Sequence, residues 1–203
     1  MMDLVDDWQY VLNFWFGDAT DDGDVAAEYS DLWWGKSDDS DHLIWAKFSH
    51  RVEQASSGAL THWLDVPEGR LAAIILIDQF RRNIYRDKPE AFAEDSLARR
   101  WCREGLSDSV DQLLRPIERV FFYLPLEHSE SMDDQEESVR RYRDLVDCAP
   151  KAHRELFTNY LNFAQRHYDI IARFGRFPHR NAILGRESSP EEIEFLKRPG
   201  SSF

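Results

Sequence analysis

The chain has 203 residues, a length typical of one globular domain, and 42% of them are hydrophobic, enough to build a buried core. Its formal net charge of −13 argues against a nucleic-acid-binding protein, because such proteins present a basic surface to phosphates. No apolar run approaches the ~18 residues of a membrane span, and the acidic residues 1–10 lack the positive region of a secretory signal. The sequence therefore predicts a soluble cytoplasmic protein with neither nucleic acid nor a membrane as its partner.

Apolar residues recur at helical spacing along almost the whole chain. The first predicted helix ends before Gly17, and the Asp-rich residues 18–24 predict a solvated loop. A second helix is predicted to be capped within residues 39–41 and to end at Gly58. The apolar positions of these two helices are Val5, Trp8, Val11, Leu12, Trp15, Ile44, Phe48, Val52 and Ala55.

Prolines mark the next predicted helices. Pro67 opens a helix that contains the apolar run 71–77, because its missing N–H costs nothing in the first turn. Pro89 opens another helix with Gly105 after it, and a shorter helix is stopped by Pro125.

The C-terminal part predicts three more helices. Ser131 starts a capping pattern with Asp134 three residues on, and the longest helix covers residues 152–174 with Gly175 in the left-handed position. Ser189 begins a last short helix. The whole pattern predicts an all-α protein, a single domain over residues 1–203 with about eight helices in antiparallel pairs.

Two cysteines, Cys102 and Cys148, are too far apart for a CxxC pair and too few for a four-thiolate zinc site. We expect both to be ordinary core or surface residues. The chain has no nucleotide-binding loop and no HExxH pair, so the sequence predicts neither a cofactor nor a metal.

The segment IDQFRRNIYR, residues 77–86, places a carboxylate among core positions. Asp78 lies on the apolar stripe, where an unpaired charge is costly, and Arg82 four residues on is within reach. One interpretation is a buried ion pair that fixes helix packing. The other is a pocket wall that presents four side chains to a ligand: Asp78, Gln79, Arg82 and Asn83.

The segment YLPLEHSES, residues 123–131, places His128 between Glu127 and Glu130. Flanking carboxylates can adjust the pKa of a histidine for general-base chemistry. Capping with a local salt bridge is one alternative, and a metal site completed by His167 or Asp78 is another. We take His128 and Glu130 as candidate acid–base residues.

The segment RFGRFPHRNAILGR, residues 173–186, carries four arginines and a histidine but no acid. Such a loop needs anions, which come either from acids elsewhere in the chain or from a ligand phosphate or carboxylate. Arg176, His179 and Arg180 are therefore expected to line one site with Arg82 and Glu130. The candidate ligand-binding residues here are Arg173, Arg176, Arg180 and Asn181, with His179 as an acid–base candidate and His167 on the predicted buried face of the preceding helix, four residues after Phe163.

Five blocks of the sequence resemble the domain-of-unknown-function 924 family. In chain order they are VLNFWFG, LAAIILIDQFRRNIYR, AFAEDSLAR, FYLPLEHSES and IIARFGRFPHRNAILGRESSPEEIEFL. The resemblance implies an all-helical fold similar to tetratricopeptide-repeat proteins, and it supplies no catalytic residues because the family is uncharacterised. One departure is Arg81, which stands where the family typically has a proline (DQFPRN) and adds a charge beside the expected site.

Three functions fit these observations. The first is a charged, partly buried pocket that binds a small phosphate- or carboxylate-bearing ligand, as in a hydrolase-type enzyme. The second is an interaction module that binds a peptide on a concave helical surface. The third is a purely structural network of ion pairs. A closed pocket would favour the first function, and an open trough the second. The sequence leaves the oligomeric state open.

Overall fold

The structure is a computed structural model that describes residues 8–202, and the regular structure in this range is entirely helical. The α-helices are α1 (Trp8–Phe16), α2 (Asp22–Trp34), α3 (Asp38–Ser56), α4 (Pro67–Ile75), α5 (Arg81–Ile84), α6 (Asp95–Ser107), α7 (Pro116–Glu127), α8 (Met132–Cys148), α9 (Arg154–Phe174) and α10 (Pro190–Leu196). The all-α prediction is confirmed. The likeness to tetratricopeptide-repeat arrays and the single domain over residues 1–203 stay predictions.

Helix α4 forms the centre of the core. Every side chain from Leu71 to Ile77 is fully buried, as expected for a helix that is apolar on all sides. α1, α6 and α7 pack against it, and α8 and α9 form a hairpin beside α7. Core residues from α1 through α9 belong to one cluster, so the surrounding helices are held in fixed positions around any site between them.

Several predicted helix ends are confirmed. Pro67 is the first residue of α4, and Gly175 follows α9 with a φ of +68°. Ser189 and Glu192 form a capping box at the start of α10. The predicted inward residues of α3 are buried, whereas Val5 of the first predicted helix lies outside the described residues.

Other predicted ends are wrong, because side chains cap helices at positions that periodicity does not mark. Residues 18–24 are not one loop: Asp21 accepts hydrogen bonds from the N–H groups of Gly23 and Asp24, and α2 begins at Asp22. The cap of α3 is Ser37 rather than a residue in 39–41.

Proline and glycine also lie inside helices. Pro125 is in the last turn of α7, which continues to Glu127. Gly105 does not end α6 but lies within it. A Cβ at this position would come within 2.7 Å of the Phe122 side chain, so the glycine permits close packing of α6 against α7. Pro89 begins only a short 3₁₀ turn, Pro89–Ala91, and α6 starts at Asp95.

Helix α8 starts after Ser131 as predicted, but the Ser131 side chain makes no capping hydrogen bond. Instead the Asp134 carboxylate accepts a hydrogen bond from the Ser129 hydroxyl. None of the helices in residues 8–202 is long and apolar enough to cross a bilayer.

Between α4 and α5 the chain forms a π turn, Leu76–Phe80. A π turn widens the helix by one residue, and such turns occur frequently at functional sites. All five of its residues are buried. The turn therefore sets the orientation of the polar side chains of IDQFRRNIYR.

Candidate functional site

A cavity of about 970 Å³ lies beside this π turn. Its wall includes parts of α2, α5, α7, α8 and α9, Gln79 of the π turn and the 3₁₀ turn Pro178–Arg180. Pockets of roughly 300–1,000 Å³ bury most of the surface of a drug-sized ligand. The cavity is thus large enough for a small organic molecule.

The Asp78 carboxylate lies behind the cavity wall with no exposed surface. Nη1 of Arg82 is 3.3 Å from Asp78 Oδ1, so the predicted buried ion pair is confirmed. Gln79 Nε2 donates a hydrogen bond of 2.6 Å to Asp78 Oδ2. Burial alone would raise the pKa of Asp78, but the charges of Arg82 and His128 and these hydrogen bonds hold it below its ordinary value.

His128 follows α7 and forms a pair with the same carboxylate. Its Nδ1 is 2.9 Å from both oxygens of Asp78 and therefore carries the proton that it donates. Nε2 makes no hydrogen bond to the described residues, and the ring is part of the cavity wall. Burial lowers the pKa of His128 below its ordinary value despite the Asp78 charge, so the ring is neutral at pH 7. This Asp–His pair presents a basic nitrogen to the cavity.

Arg180 is a buried cation with few partners. Its side chain lies between the rings of Phe92 and Phe177, with its Cζ 4.8 and 4.5 Å from their centroids. Its one hydrogen bond to the described residues spans 3.4 Å to Asp95, whose same oxygen is 3.1 Å from Arg82. Nε of Arg180 has no hydrogen-bond partner there. Burial and then the charge of Arg82 lower the pKa of Arg180 to about 10.

Three further histidines are in the wall, His153, His167 and His179. His167 Nδ1 is 2.9 Å from Glu127 Oε1 and 2.9 Å from the carbonyl oxygen of Phe163. Burial and then the charge of Arg180 lower the pKa of His179 to about 3. Phe163 itself was expected in the core but is 48% exposed and is part of the wall.

Neither Arg173 nor Arg176 lines the cavity, so the structure does not bring Arg176 together with Arg82 as expected. Arg173 donates hydrogen bonds to Glu191, and Arg176 makes bonds of 2.6 and 2.8 Å to Glu192. The acids of α10, immediately beyond the Arg-rich segment, neutralise both cations.

Glu130 is likewise outside the cavity wall. It accepts bonds of 2.8 and 3.0 Å from Arg186 and a bond of 2.8 Å from the N–H of Phe177. Asn181 is fully buried and bonds to Ser188 and Arg186. The geometry therefore removes Glu130 as a partner of His128 and makes Asn181 a support of the loop.

Of the remaining positions in the segment IDQFRRNIYR, some are in the cavity wall and others are not. Gln79 and Asn83 are in the wall, and Asn83 Nδ2 donates a bond of 2.8 Å to Asp41. Arg81, in place of the usual family proline, points elsewhere and bonds to Ser56 and to the carbonyl of Glu90. The charge that it adds is therefore not part of the cavity.

The two glutamates and the histidine of the segment YLPLEHSES contact different partners. Glu127 contacts His167, His128 contacts Asp78, and Glu130 contacts Arg186. Because they diverge, they do not form a shared ligand set. Among residues 8–202, no group of three or more His, Cys, Asp or Glu side chains could hold a metal ion.

Comparison with known families matches residues 11–200 to a model described as a bacterial protein of unknown function, DUF924. The chain belongs to the DUF924 family. A solved structure titled as a protein of unknown function, ATU0120 from Agrobacterium tumefaciens, shares 34% sequence identity with a TM-score of 0.72. The match covers 87% of this chain and 99% of that one. No curated protein matches the chain.

In this DUF924 chain the cavity wall is cationic, although the protein is acidic overall. Five lysines and arginines but only two acids are in the wall, namely Lys36, Arg82, Arg86, Arg166 and Arg180 against Asp87 and Glu127. Three acids behind the wall, Asp41, Asp78 and Asp95, pair with Arg86, Arg82 and Arg180. Positive charge therefore faces the cavity while the balancing negative charge lies behind it.

Sequence reasoning missed Asp95 and the aromatic part of the wall. Asp95 belongs to the AFAEDSLAR block, and its place in a block that carries the family resemblance was a usable signal. Phe92 in the same block covers Arg180. The Trp34 and Tyr160 side chains carried no signal, because aromatic residues at helical spacing are more often core residues.

Proposed function

We propose that the cavity binds a small anionic organic ligand, with its phosphate or carboxylate group against Arg82 and Arg180. The observation that carries the proposal is the environment of Arg180, which is 6% exposed and shares one long contact with Asp95. A buried guanidinium normally makes several hydrogen bonds, since leaving one unpaired is costly. A ligand anion in the cavity would supply the missing partner.

The Asp78–His128 pair supports a hydrolase-type reaction at the same place. The neutral His128 Nε2 would take a proton from a water molecule while the water oxygen bonds to the phosphorus or carbonyl carbon of an ester. The proton then passes to the leaving alkoxide oxygen as the ester bond breaks. Asp78 fixes the tautomer and stabilises the imidazolium, and proton transfer of this kind is worth ~10²–10⁴-fold in rate.

The proposal is tested by thermal unfolding in phosphate and in chloride at matched ionic strength. Phosphate should raise the melting temperature through binding, by up to ~2.7 kcal/mol of stabilisation at a hundredfold excess over Kd. Phosphate also strengthens burial nonspecifically, so each variant is compared with itself in the two salts.

Arg180→Ala should lose the phosphate-specific part of this increase. Arg176→Ala is the matched control, because Arg176 belongs to the same segment but pairs with Glu192 outside the cavity. If both variants respond to phosphate as the wild type does, the arginines form a structural network and the anion site is rejected.

A further inference from the structure

We infer that the ligand is an aryl anion, in which one phosphate or carboxylate group is joined to a flat aromatic body lying against α2 and α9. This inference rests on the proposed anion site and assigns the occupant of the rest of the cavity. It follows from the composition of the wall away from Arg82 and Arg180.

The part of the wall formed by α2 and α9 is mostly apolar. Its lining residues include Ala26, Ala27, Trp34, Leu156, Tyr160 and Phe163. A purely inorganic anion would leave this apolar surface in contact with water.

Two of these aromatic side chains are unusually exposed. Trp34 is 47% exposed and Phe163 is 48% exposed, although both lie at a cavity wall. Scattered exposed apolar residues are ordinary, but large apolar side chains gathered around one concave site are typical of a ligand-binding surface.

The ring arrangement favours a flat ligand. Trp34 stacks on Phe121 with centroids 5.5 Å apart and an interplanar angle of 11°, which fixes the plane of the indole. The Tyr160 ring is 5.9 Å from Trp34 at an angle of 50°. A fixed, half-exposed indole offers a preformed aromatic face to an aromatic ligand at little entropic cost.

The size of the cavity agrees with this occupant. A volume of about 970 Å³ is at the upper end of the range for drug-sized ligands, far larger than a single phosphate requires. The anion contacts and the apolar wall come from different chain segments. A ligand that satisfies both carries a charged group against Arg82 and Arg180 that is joined to an apolar body.

Calorimetric titration with two phosphonates tests the inference. 1-Naphthylmethylphosphonate and methylphosphonate carry the same charged group, and their C–P bonds resist hydrolysis. We expect the naphthyl compound to bind at least about tenfold more tightly, because it buries apolar area that the methyl compound lacks.

Variants locate the effect. Trp34→Ala and Phe163→Ala should each reduce the advantage of the naphthyl compound while leaving the affinity for methylphosphonate unchanged. The matched control is Trp45→Ala, since Trp45 is 52% exposed on α3 and is not in the cavity wall. It should keep the full advantage.

Four results would overturn the inference. Equal affinity for the two phosphonates would reject the aryl body while leaving the anion site intact, and so would an advantage that survives both variants. Tighter binding of a third phosphonate, decylphosphonate, than of the naphthyl compound would replace the aryl body with an alkyl one. Binding of none of the three would reject the anion site itself.

Discussion

Asp78 and Asp134 are two buried aspartates with opposite surroundings. Asp78 contacts Arg82 and His128 at the cavity. Asp134, 1% exposed, accepts a hydrogen bond of 2.6 Å from Arg103 on α6, and its second arginine partner also lies on α6. The side chain of Arg103 is 52% exposed, whereas those of Arg82 and His128 are 20% and 15% exposed.

The difference lies in where the partners of each carboxylate point. The arginines of Asp134 reach it from the surface and complete their hydrogen bonding in water, so the cluster fastens α8 to α6. The partners of Asp78 present their remaining polar atoms to the cavity. Burial of the acid therefore does not distinguish the two carboxylates, whereas the exposure of their partners does.

The largest expected difference is in stability. Asp78→Ala should lower the free energy of unfolding by ~3–5 kcal/mol, because Arg82 would lose a partner in a buried place. Asp134→Ala should cost less, roughly 1–3 kcal/mol, since Arg99 and Arg103 can turn into water. Urea unfolding followed by circular dichroism measures both, and equal losses would contradict the distinction.

Lowering the pH should reduce the free energy of unfolding, because His179 in the cavity wall is buried in its neutral form. Burial lowers the pKa of His179 to about 3, below the ~6.5 of an unfolded histidine. Between these values the unfolded chain binds a proton that the folded chain does not, so stability falls as the pH falls, by at most about 1.4 kcal/mol per pH unit for one group. His179→Gln should flatten this slope in urea titrations between pH 6.5 and 4.

The control for this experiment is His50→Gln on the exposed side of α3, which should keep the wild-type slope. A slope that both variants share with the wild type would mean that His179 takes up its proton without cost in the folded protein.

The smallest effect concerns the tautomer and charge of His128. Asp78→Asn should lower the pKa of His128 further, because the carboxylate charge that opposes burial is lost. Asp134→Asn should leave that pKa where it is. Histidine ring signals in NMR titrations report both values, and identical shifts in the two variants would remove the special link between Asp78 and His128.

Local sequence rules predicted much of the fold and one ion pair of the candidate site. Periodicity located most helices, and the i, i+4 spacing of Asp78 and Arg82 predicted their contact. By contrast, Asp78 meets His128 fifty residues away, and only the packing of α7 beside the π turn brings them together. The charge of residues 173–186 suggested an anion site for Arg173, Arg176 and Arg180, yet Glu191 and Glu192 neutralise the first two. A charge count over a short segment cannot include acidic residues from outside the segment that the fold brings into contact with it.

The π turn Leu76–Phe80 has a consequence for how chains of this family align. A π turn holds one residue more than an α-helical turn, so everything after it is rotated by about 100° relative to an uninterrupted helix. Deleting one residue there would preserve the apolar α4 but swing Arg82 and Asn83 away from the cavity. A single-residue gap at this point in a relative would thus mark a chain that keeps the helical scaffold and has lost the proposed anion contact.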